Sequence, residues 1–242
     1  TRAVVADGDP PAGVDYDRWL GPEPSRPFNV NRFHGNWRVY RDYGNGDIGD
    51  DGIHDIDMAR WGLGVTTHPN RITAHGSTVA LHGDREYPDN MMVAFHYDDG
   101  KALLYEDRLF TPYGYRGFDS GNAFYGTEGF MIFSRRGYYQ VYLGPKEKEG
   151  PTVPKAIRGN AGRGYDEHMD NFLQCIRTRE TTACPPDVAH LSCSLVHLGE
   201  IAYRAQDVIK FDPESETIQD NPAASGMLTK TYREPYGLPT DL

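Results

Sequence analysis

An aspartate and a histidine lie four residues apart in the segment GDIGDDGIHDIDMARW, which spans residues 46 to 61. If this segment is helical, Asp50 and His54 share one face and lie one turn apart. A carboxylate beside an imidazole is a common way to build a general acid or base that works near neutral pH. The spacing therefore predicts a catalytic pair in which His54 exchanges a proton with a substrate hydroxyl.

Two other interpretations of this pair stay open. Asp50 could cap the N-terminus of the helix while His54 packs as an ordinary core residue. Alternatively, Asp50 and His54 could join His34 and Asp47 as ligands of zinc or manganese, since carboxylate and imidazole groups suit both ions. The spacing matches no tight metal motif, so we predict no metal site.

The block NRFHGNWR, residues 31 to 38, alternates polar donors with aromatic rings. Such a mixture suits a polyhydroxylated ligand, because its hydroxyls take hydrogen bonds while its apolar face stacks on a ring. The alternative is a loop that Phe33 and Trp37 pack against a sheet. As substrate-binding residues we predict Arg32, His34, Asn36, Trp37 and Asp47.

The letters Gly44 to Gly49 fit the GxGxxG pattern of dinucleotide-binding loops. That motif requires a hydrophobic strand before it and a helix that opens under the pyrophosphate. The preceding text, RVYRDY, is not a buried strand, and Asp47 and Asp50 would repel the phosphates. We therefore predict no cofactor-binding residues in this chain.

Composition excludes several classes of function. The chain has 242 residues and a formal net charge of −10, whereas binding to nucleic acid needs a basic surface. No apolar run approaches the roughly 18 residues of a membrane helix. The three cysteines, nine residues apart, indicate reduced core thiols rather than a disulfide framework.

The chain begins with Thr1 and shows no leader, so we expect a processed protein or a piece of a longer one. Its compartment stays open between cytoplasm and periplasm.

Periodicity predicts an α+β protein. Helices are expected at 48–62, 165–178 and 185–205, and strands at 71–81, 90–97, 102–110, 122–134 and 138–143. Gly100 and Gly137 lie in the turns of two expected hairpins. Strands in a block with helices at the ends favour an open, mostly antiparallel sheet with helices on one face. We predict one domain over 1–242, with an extended arm at 1–46, a core at 47–210 and an extended tail at 211–242.

Several blocks resemble, in order, the C-terminal domain of the glucose–fructose oxidoreductase/inositol dehydrogenase (Gfo/Idh/MocA) family, in a bacterial branch with an extended substrate domain. Besides the 46–61 segment, they are PPAGVDYDRWLGP, RPFNVNRFHGNWR, DMARWGLG, YDEHMDNFLQCIRTR and HLGEIAYRA. The resemblance implies a fold like that of the C-terminal domain of dihydrodipicolinate reductase. It also implies that His54 is the acid/base and that Asp50 orients it or binds substrate.

Members of this family pair such a domain with an N-terminal Rossmann domain that binds NAD(P). They oxidise a hydroxyl of a sugar or cyclitol, and they often form homo-oligomers through the sheet. The family's Glu-Lys-Pro motif, whose lysine lies beside the nicotinamide, is not found in this sequence, and no Rossmann βαβ unit is recognisable in it. We expect NAD(P) in the full-length protein and none bound by this chain alone.

Two hypotheses follow for function. The first is the substrate-binding and proton-transfer domain of an NAD(P)-dependent oxidoreductase that acts on a sugar, glycoside or cyclitol. The second is a stand-alone carbohydrate-binding domain, or a metal-assisted lyase or hydrolase, that has lost redox function. Both expect a small carbohydrate ligand, with neither nucleic acid nor a membrane as a partner.

Overall fold

A computed structural model of the chain describes residues 3–154 and 163–237. Its open antiparallel sheets with accompanying helices confirm the predicted α+β class. The helices are α1 (Tyr16–Leu20), α2 (Gly46–Asp50), α3 (Gly52–Leu63), α4 (Arg163–Thr178), α5 (Pro186–Ala205) and α6 (Pro222–Ser225). The strands are β1 (Arg71–Ser77), β2 (Asn90–His96), β3 (Ala102–Arg108), β4 (Asn122–Tyr125), β5 (Gly129–Ser134), β6 (Tyr138–Leu143), β7 (Lys148–Val153), β8 (Ile209–Asp212) and β9 (Thr217–Gln219).

The chain divides into two compact units. The first comprises residues 1–52, 68–111 and 195–242, and the second comprises 53–67 and 112–194. Within the described residues, the first unit holds a five-stranded sheet in the order β3-β2-β1-β8-β9, and the second holds a four-stranded sheet in the order β4-β5-β6-β7. The helices α3 and α5 each contribute residues to both units.

The core of the first unit forms where alternating side chains of β1 and β2 meet the C-terminal half of α5. Ile72 and Phe95 face each other in the register of the two strands, and both have 0% relative exposure. Gly199 of α5 lies so close that an added Cβ would stand 3.3 Å from Val93 and 3.4 Å from Phe95. The helix can approach the sheet this closely because position 199 has no side chain.

Three strand predictions need correction. β1 ends at Ser77 rather than at Leu81, because the next backbone N–H groups bond to a side chain instead of a neighbouring strand. The predicted strand 122–134 is two strands, since Gly126 donates its N–H to the Gly129 carbonyl at 2.9 Å and closes a turn. The sequence does not predict β7, β8 and β9: β7 lacks a clear alternation of apolar residues, and β8 and β9 have only four and three residues. The turns at Gly100 and Gly137 are confirmed, with φ of 85° and 83°.

The predicted helix 48–62 is also corrected. Helix α2 begins at Gly46, two residues earlier than predicted, and the helical segment is interrupted at Asp51 before α3 begins at Gly52. Gly52 lies directly against a ring of β3: an added Cβ would stand 2.7 Å from the hydroxyl oxygen of Tyr105. The chain thus changes from one helix to the next where its backbone passes against Tyr105 of the sheet.

The small sheet of the second unit is held by aromatic rings on adjacent strands. Tyr125, Phe130 and Tyr142 are direct register partners across β4, β5 and β6. Their rings stack with centroids 5.5 Å and 4.8 Å apart, a favourable distance for aromatic pairs. On the other side of the sheet, Phe124 lies against Gly62 of α3, where an added Cβ would stand 2.1 Å from the ring.

Two features of the surface concern the cysteines, which differ from expectation, and the helix α4. Cys175 is buried, but Cys184 and Cys193 are exposed, so only one of the three free thiols belongs to a core. The apolar stripe of α4 is also exposed, at 42% to 55%, over Met169, Phe172, Leu173 and Ile176. Among the described residues, no helix has the length and apolar character needed to cross a membrane.

Candidate functional site

The first unit contains a cleft of about 360 Å³. Three segments form its walls: residues 35–40, the helix α2, and the loop that follows β1. Leu109, just beyond β3, closes one side. The lining residues are Gly35, Asn36, Arg38, Val39, Tyr40, Gly46, Asp47, Asp50, Leu81, His82, Gly83, Asp84, Arg85 and Leu109.

The first wall is a 3-10 helical segment, His34–Val39, which presents Arg38 to the cleft. The guanidinium group of Arg38 stacks on the ring of Trp37, 4.7 Å from its centroid. Its Nε donates to the Asp50 carboxylate at 2.6 Å, and one terminal nitrogen donates to the Gly35 carbonyl at 3.0 Å. These contacts link the first wall to α2 and fix the direction of the Asp50 carboxylate.

The second wall is the loop 78–89, which is organised by the buried carboxylate of Asp89. This carboxylate accepts the N–H groups of Val79, Ala80 and Leu81 at 2.7, 2.9 and 2.5 Å. Burial by itself would raise the pKa of Asp89, but the three donors lower it below the usual value. An ionised side chain therefore replaces a strand partner here, and the loop it holds supplies a cleft wall.

Two residues of that loop face the cleft with their polar atoms already engaged. Asp84 accepts a hydrogen bond from the hydroxyl of Tyr40 at 2.9 Å. Arg85 donates from Nε to the Tyr87 carbonyl at 2.7 Å and from a terminal nitrogen to the Pro88 carbonyl at 3.2 Å. The loop is thus tied to the first wall and to its own C-terminal end.

The third wall, α2, is positioned by a buried carboxylate on α5. Glu200 accepts hydrogen bonds from Asn45 at 2.7 Å and from the hydroxyl of Tyr87 at 2.6 Å. Gly46 follows Asn45 with a φ of 69°, and an added Cβ there would stand 2.8 Å from the Tyr87 ring. Only glycine fits this bend, which places Asp47 in the first turn of α2, facing the cleft.

The structure brings three of the predicted site residues together. Asn36, Asp47 and Asp50 all line the cleft. Arg32 lies elsewhere: it is buried and donates to Asp7 at 2.8 Å and to the Pro27 carbonyl at 2.9 Å, which anchors the N-terminal arm. His34 is exposed with a φ of 46°.

Trp37 is half-buried and supports Arg38. Like Arg32 and His34, it is outside the set of described residues that line the cleft. The motif therefore contains two kinds of residue, those that line the cleft and those that hold the segment in place.

His54 is exposed on α3 and belongs to the second unit. The prediction that His54 pairs with Asp50 assumes one continuous helix. The helix is interrupted at Asp51, so this assumption does not hold. The catalytic role of His54 stays a prediction. Asp50 is the last residue of α2, whose N-cap position is Asn45, and α3 begins two residues after Asp50. The capping alternative for Asp50 stays a prediction.

The alternative metal site does not form among the described residues of the first unit. His34, Asp47 and Asp50 do not bring their ligand atoms within 4.8 Å of one another. The Gly44–Gly49 segment does not fit a dinucleotide either. Residues 41–43 before it form a turn instead of a strand, and α2 is only five residues long with Asp47 in its first turn.

Sequence reasoning missed five polar lining residues: Arg38, Tyr40, His82, Asp84 and Arg85. Arg38 is the last residue of the block 31–38, Tyr40 lies two residues beyond it, and the loop 81–85 carries only a short polar run. Nothing in the sequence showed that Asp89 would fold this loop toward residue 40. The cleft depends on contacts between segments that are more than 40 residues apart, such as Tyr40 with Asp84.

The cleft offers both hydrogen-bond donors and acceptors. Asn36, His82 and the two arginines bring N–H groups, while Asp47, Asp50 and Asp84 bring carboxylate oxygens. Such a lining suits a ligand rich in hydroxyl groups, which both donate and accept.

Comparison with known proteins places the chain in a family. Residues 3–113 and 151–238 match the family model for the C-terminal alpha/beta domain of the Gfo/Idh/MocA oxidoreductases, described as "Oxidoreductase family, C-terminal alpha/beta domain". The chain therefore belongs to this oxidoreductase family, which confirms the resemblance noted in the sequence. A search of curated protein sequences gives no match.

Solved structures with the same fold include three oxidoreductases. A levoglucosan dehydrogenase in complex with NADH and levoglucosan is 19% identical, with a TM-score of 0.55, over 72% of this chain and 52% of its own. An aldose-aldose oxidoreductase from Caulobacter crescentus, complexed with glycerol, is 19% identical, with a TM-score of 0.53, over 73% and 51%. An oxidoreductase from Thermotoga maritima is 17% identical, with a TM-score of 0.53, over 74% and 51%.

At these identities the likeness concerns the fold alone. The chain spans about half the length of each of these proteins.

Proposed function

We propose that this chain is the substrate-binding and proton-transfer domain of an NAD(P)-dependent oxidoreductase that acts on a hydroxyl of a sugar, glycoside or cyclitol. The observation that carries the proposal is the cleft of the first unit. Asn36 and Asp47, which the sequence predicts to bind substrate, and Asp50, which it predicts to be catalytic, line it together.

Within this proposal, the residues of the cleft bind and orient the substrate. Asp47 and Asp50 accept hydrogen bonds from hydroxyl groups, and Asn36 donates to them. The contact between Arg38 and Asp50 keeps that carboxylate in place as the ligand enters. His54 takes the proton from the reacting hydroxyl, and the assignment of that role rests on the family resemblance. NAD(P), when bound by the complete protein, supplies the hydride acceptor.

Two relatives of the same fold support the substrate class. One was solved with levoglucosan and another is described as acting between aldoses. The test is calorimetry of this chain with levoglucosan, glucose and myo-inositol. We expect one of these sugars to bind at a single site. The double variant Asp47→Asn/Asp50→Asn should weaken that binding at least tenfold. Asp119→Asn, on the surface of the second unit, is the matched control and should leave binding unchanged.

The role of His54 needs the complete protein and its nicotinamide cofactor. A lost proton-transfer group should lower kcat by roughly 10²-fold or more, so His54→Ala is expected to do so with the sugar that binds best. If kcat stays within about threefold, the proton-transfer role is wrong. If the complete protein binds the sugar without any turnover, the alternative function, a carbohydrate-binding domain, is favoured. The Arg38–Asp50 ion pair fits that function as well.

The proposal includes a homo-oligomer that forms through the open face of the five-stranded sheet. Leu104 and Met92, on the outer face of β3 and β2, are 77% and 45% exposed. Leu104→Asp should shift the molecular mass measured by light scattering toward that of the monomer. A mass that is already monomeric for the unmodified protein would contradict this part of the proposal.

A further inference from the structure

A stretch of the N-terminal arm, residues 3–8, lies along residues 28–32 of the first unit, and we call it the strap. At its end, Gly8 donates its N–H to the Phe28 carbonyl at 3.0 Å, and the two residues form an antiparallel bridge. Nearer residue 3, the strap is held by the side chains of Asn29 and Asn31, which are only 3% and 5% exposed. Two buried amides therefore anchor a segment that is itself exposed.

Asn29 anchors the middle of the strap and bonds only within this region. Its side-chain nitrogen donates to the Val5 carbonyl and to the Asp7 carboxylate, both at 2.8 Å. The amide thus divides its two hydrogens between a backbone oxygen and a carboxylate. Neither of these partners lines the cleft.

Asn31 makes the same two kinds of contact, but its carboxylate partner lines the cleft. Its side-chain nitrogen donates to the Ala3 carbonyl at 2.8 Å and to one oxygen of the Asp84 carboxylate at 3.0 Å. The other oxygen of that carboxylate accepts a hydrogen bond from the hydroxyl of Tyr40, which is 2% exposed. Both oxygens of Asp84 are held by buried residues, so this carboxylate cannot turn without breaking a hydrogen bond.

The direction of Asp84 matters because two walls of the cleft meet at this residue. Asp84 belongs to the loop 78–89, and its partner Tyr40 ends the segment 35–40 on the opposite wall. A hydrogen bond to a carboxylate is roughly twice as strong as one between neutral groups. The bond from Asn31 therefore limits how far the loop can move away from the first wall.

We propose that Asn31 is a positioning residue of the cleft, which acts through Asp84, and that the strap sets the affinity for sugar by holding the Asn31 amide. The inference rests on the proposed function, since it concerns the same cleft and the same ligand. Asn31 directs the Asp84 carboxylate, and with it the wall of the cleft, without contact to the sugar. Among the described residues, Asn29 holds the same strap but bonds to no lining residue.

The test replaces each asparagine by aspartate, which has the same shape but donates no hydrogen at this position. Asn31→Asp turns both donated hydrogen bonds into contacts between acceptors, and one of these lies at the cleft. Asn29→Asp does the same within the strap and is the matched control. It also keeps the side-chain oxygen that accepts the N–H of Asn31 at 2.9 Å.

Calorimetry with the neutral sugar that binds best measures the effect on the cleft. The dissociation constant should rise roughly tenfold in Asn31→Asp, as for one lost hydrogen bond, and stay within about twofold in Asn29→Asp. Denaturant titration should show similar losses of stability in the two variants, because both disturb the strap alike. Asn31→Ala and Asn29→Ala form a milder pair, with the same expected order, for the case that an aspartate prevents folding.

Exchange of donor and acceptor gives a second readout that general destabilisation would not produce. In the double variant Asn31→Asp/Asp84→Asn, the new amide at position 84 can donate to the carboxylate at position 31 and still accept from Tyr40. The double variant should therefore bind the sugar more tightly than either single variant. Losses that arise independently at the two positions would add instead.

Two results overturn the inference: equal dissociation constants for Asn31→Asp and Asn29→Asp, or a double variant that binds no better than the single ones. Either result leaves the proposed function in place, provided that the unmodified protein binds the sugar. If the unmodified protein binds no neutral sugar, the proposed function is wrong and the inference fails with it.

Discussion

The two units of this chain use polar and aromatic residues in opposite ways. In the first unit, buried carboxylates on Asp89 and Glu200 accept hydrogen bonds that hold the walls of a cleft. In the second, the stacked rings of Tyr125, Phe130 and Tyr142 hold a small sheet, and the carboxylates of Asp119 and Glu147 form ion pairs with arginines at the surface.

The family match divides in the same way. It covers residues 3–113 and 151–238 and leaves out 114–150, where β4, β5 and β6 lie. The shared part thus includes every residue that lines the cleft, and the unmatched part contains the aromatic sheet. The cleft therefore lies in the part of the chain that the family model matches, and most of the aromatic sheet lies in the part that it does not match.

The largest expected effect tests the buried carboxylates of the first unit. Asp89→Ala would leave three backbone N–H groups without their acceptor and should lower the free energy of unfolding by about 3 kcal/mol. Denaturant titration measures this loss, and calorimetry should show that sugar binding is lost as well. Asp119→Ala, which removes a surface ion pair of the second unit with Arg136, should cause no measurable change. Equal losses of stability in Asp89→Ala and Asp119→Ala would contradict this difference between the two units.

The next effect concerns packing in the second unit. Gly62→Ala would place a Cβ 2.1 Å from the Phe124 ring, so the ring must move, and we expect a loss of about 2 kcal/mol. When Phe124→Leu is added to the Gly62→Ala variant, part of the lost free energy of unfolding should return, because the smaller side chain leaves room for the new Cβ. Gly226→Ala is the matched control, since its φ is −64° and no atom lies within 4 Å of the added Cβ. A loss that Phe124→Leu leaves untouched would mean that this contact is not the cause.

A smaller effect depends on pH and has the opposite sign. Burial on β3 raises the pKa of Asp107 from 3.8 to about 6, so its contribution to stability is full below pH 3.8 and is lost as the pH rises through 6. Asp107→Asn should therefore stabilise the protein by about 1 to 2 kcal/mol at pH 7.5, discounted for partial exposure, with the gain absent at pH 3.5. Thermal unfolding across this range measures it. A variant that is less stable than the unmodified protein at every pH would contradict the assignment.

The smallest effect concerns the aromatic stack. Phe130→Leu removes the central ring between Tyr125 and Tyr142 and should cost about 1 kcal/mol beyond the small change in buried area. A double-mutant cycle with Tyr125→Leu isolates the ring–ring part of that energy. Calorimetry with the best neutral sugar should give an unchanged dissociation constant for Phe130→Leu. Weaker sugar binding would assign the aromatic sheet a role in the site.

Much of the first unit could be predicted from local patterns. The alternation of Met91, Val93 and Phe95 predicts β2, and Gly100 predicts the turn that follows it, because both depend on neighbours in sequence. The segment with Asp47 and Asp50, together with Asn36, indicated half of the cleft for the same reason.

The remainder could not be predicted because it depends on distant contacts. Asp89 ends β1 by bonding to residues 79–81, and Glu200 sets the entry of α2 from more than 150 residues away. The break at Asp51 follows from the close contact of Gly52 with Tyr105. Each of these is a tertiary contact that overrides a local preference, and Arg38, Asp84 and Asp107 gain their places only through such contacts.

The most direct test of the central claim is a titration of the ¹⁵N-labelled chain with the neutral sugar that binds best, followed by amide chemical shifts. The account predicts that the largest shifts fall on the cleft residues of the first unit, among them Asn36, Asp47 and His82, and that Asp50→Asn abolishes them. Shifts confined to residues 114–150, or shifts at the cleft that survive Asp50→Asn, would contradict it.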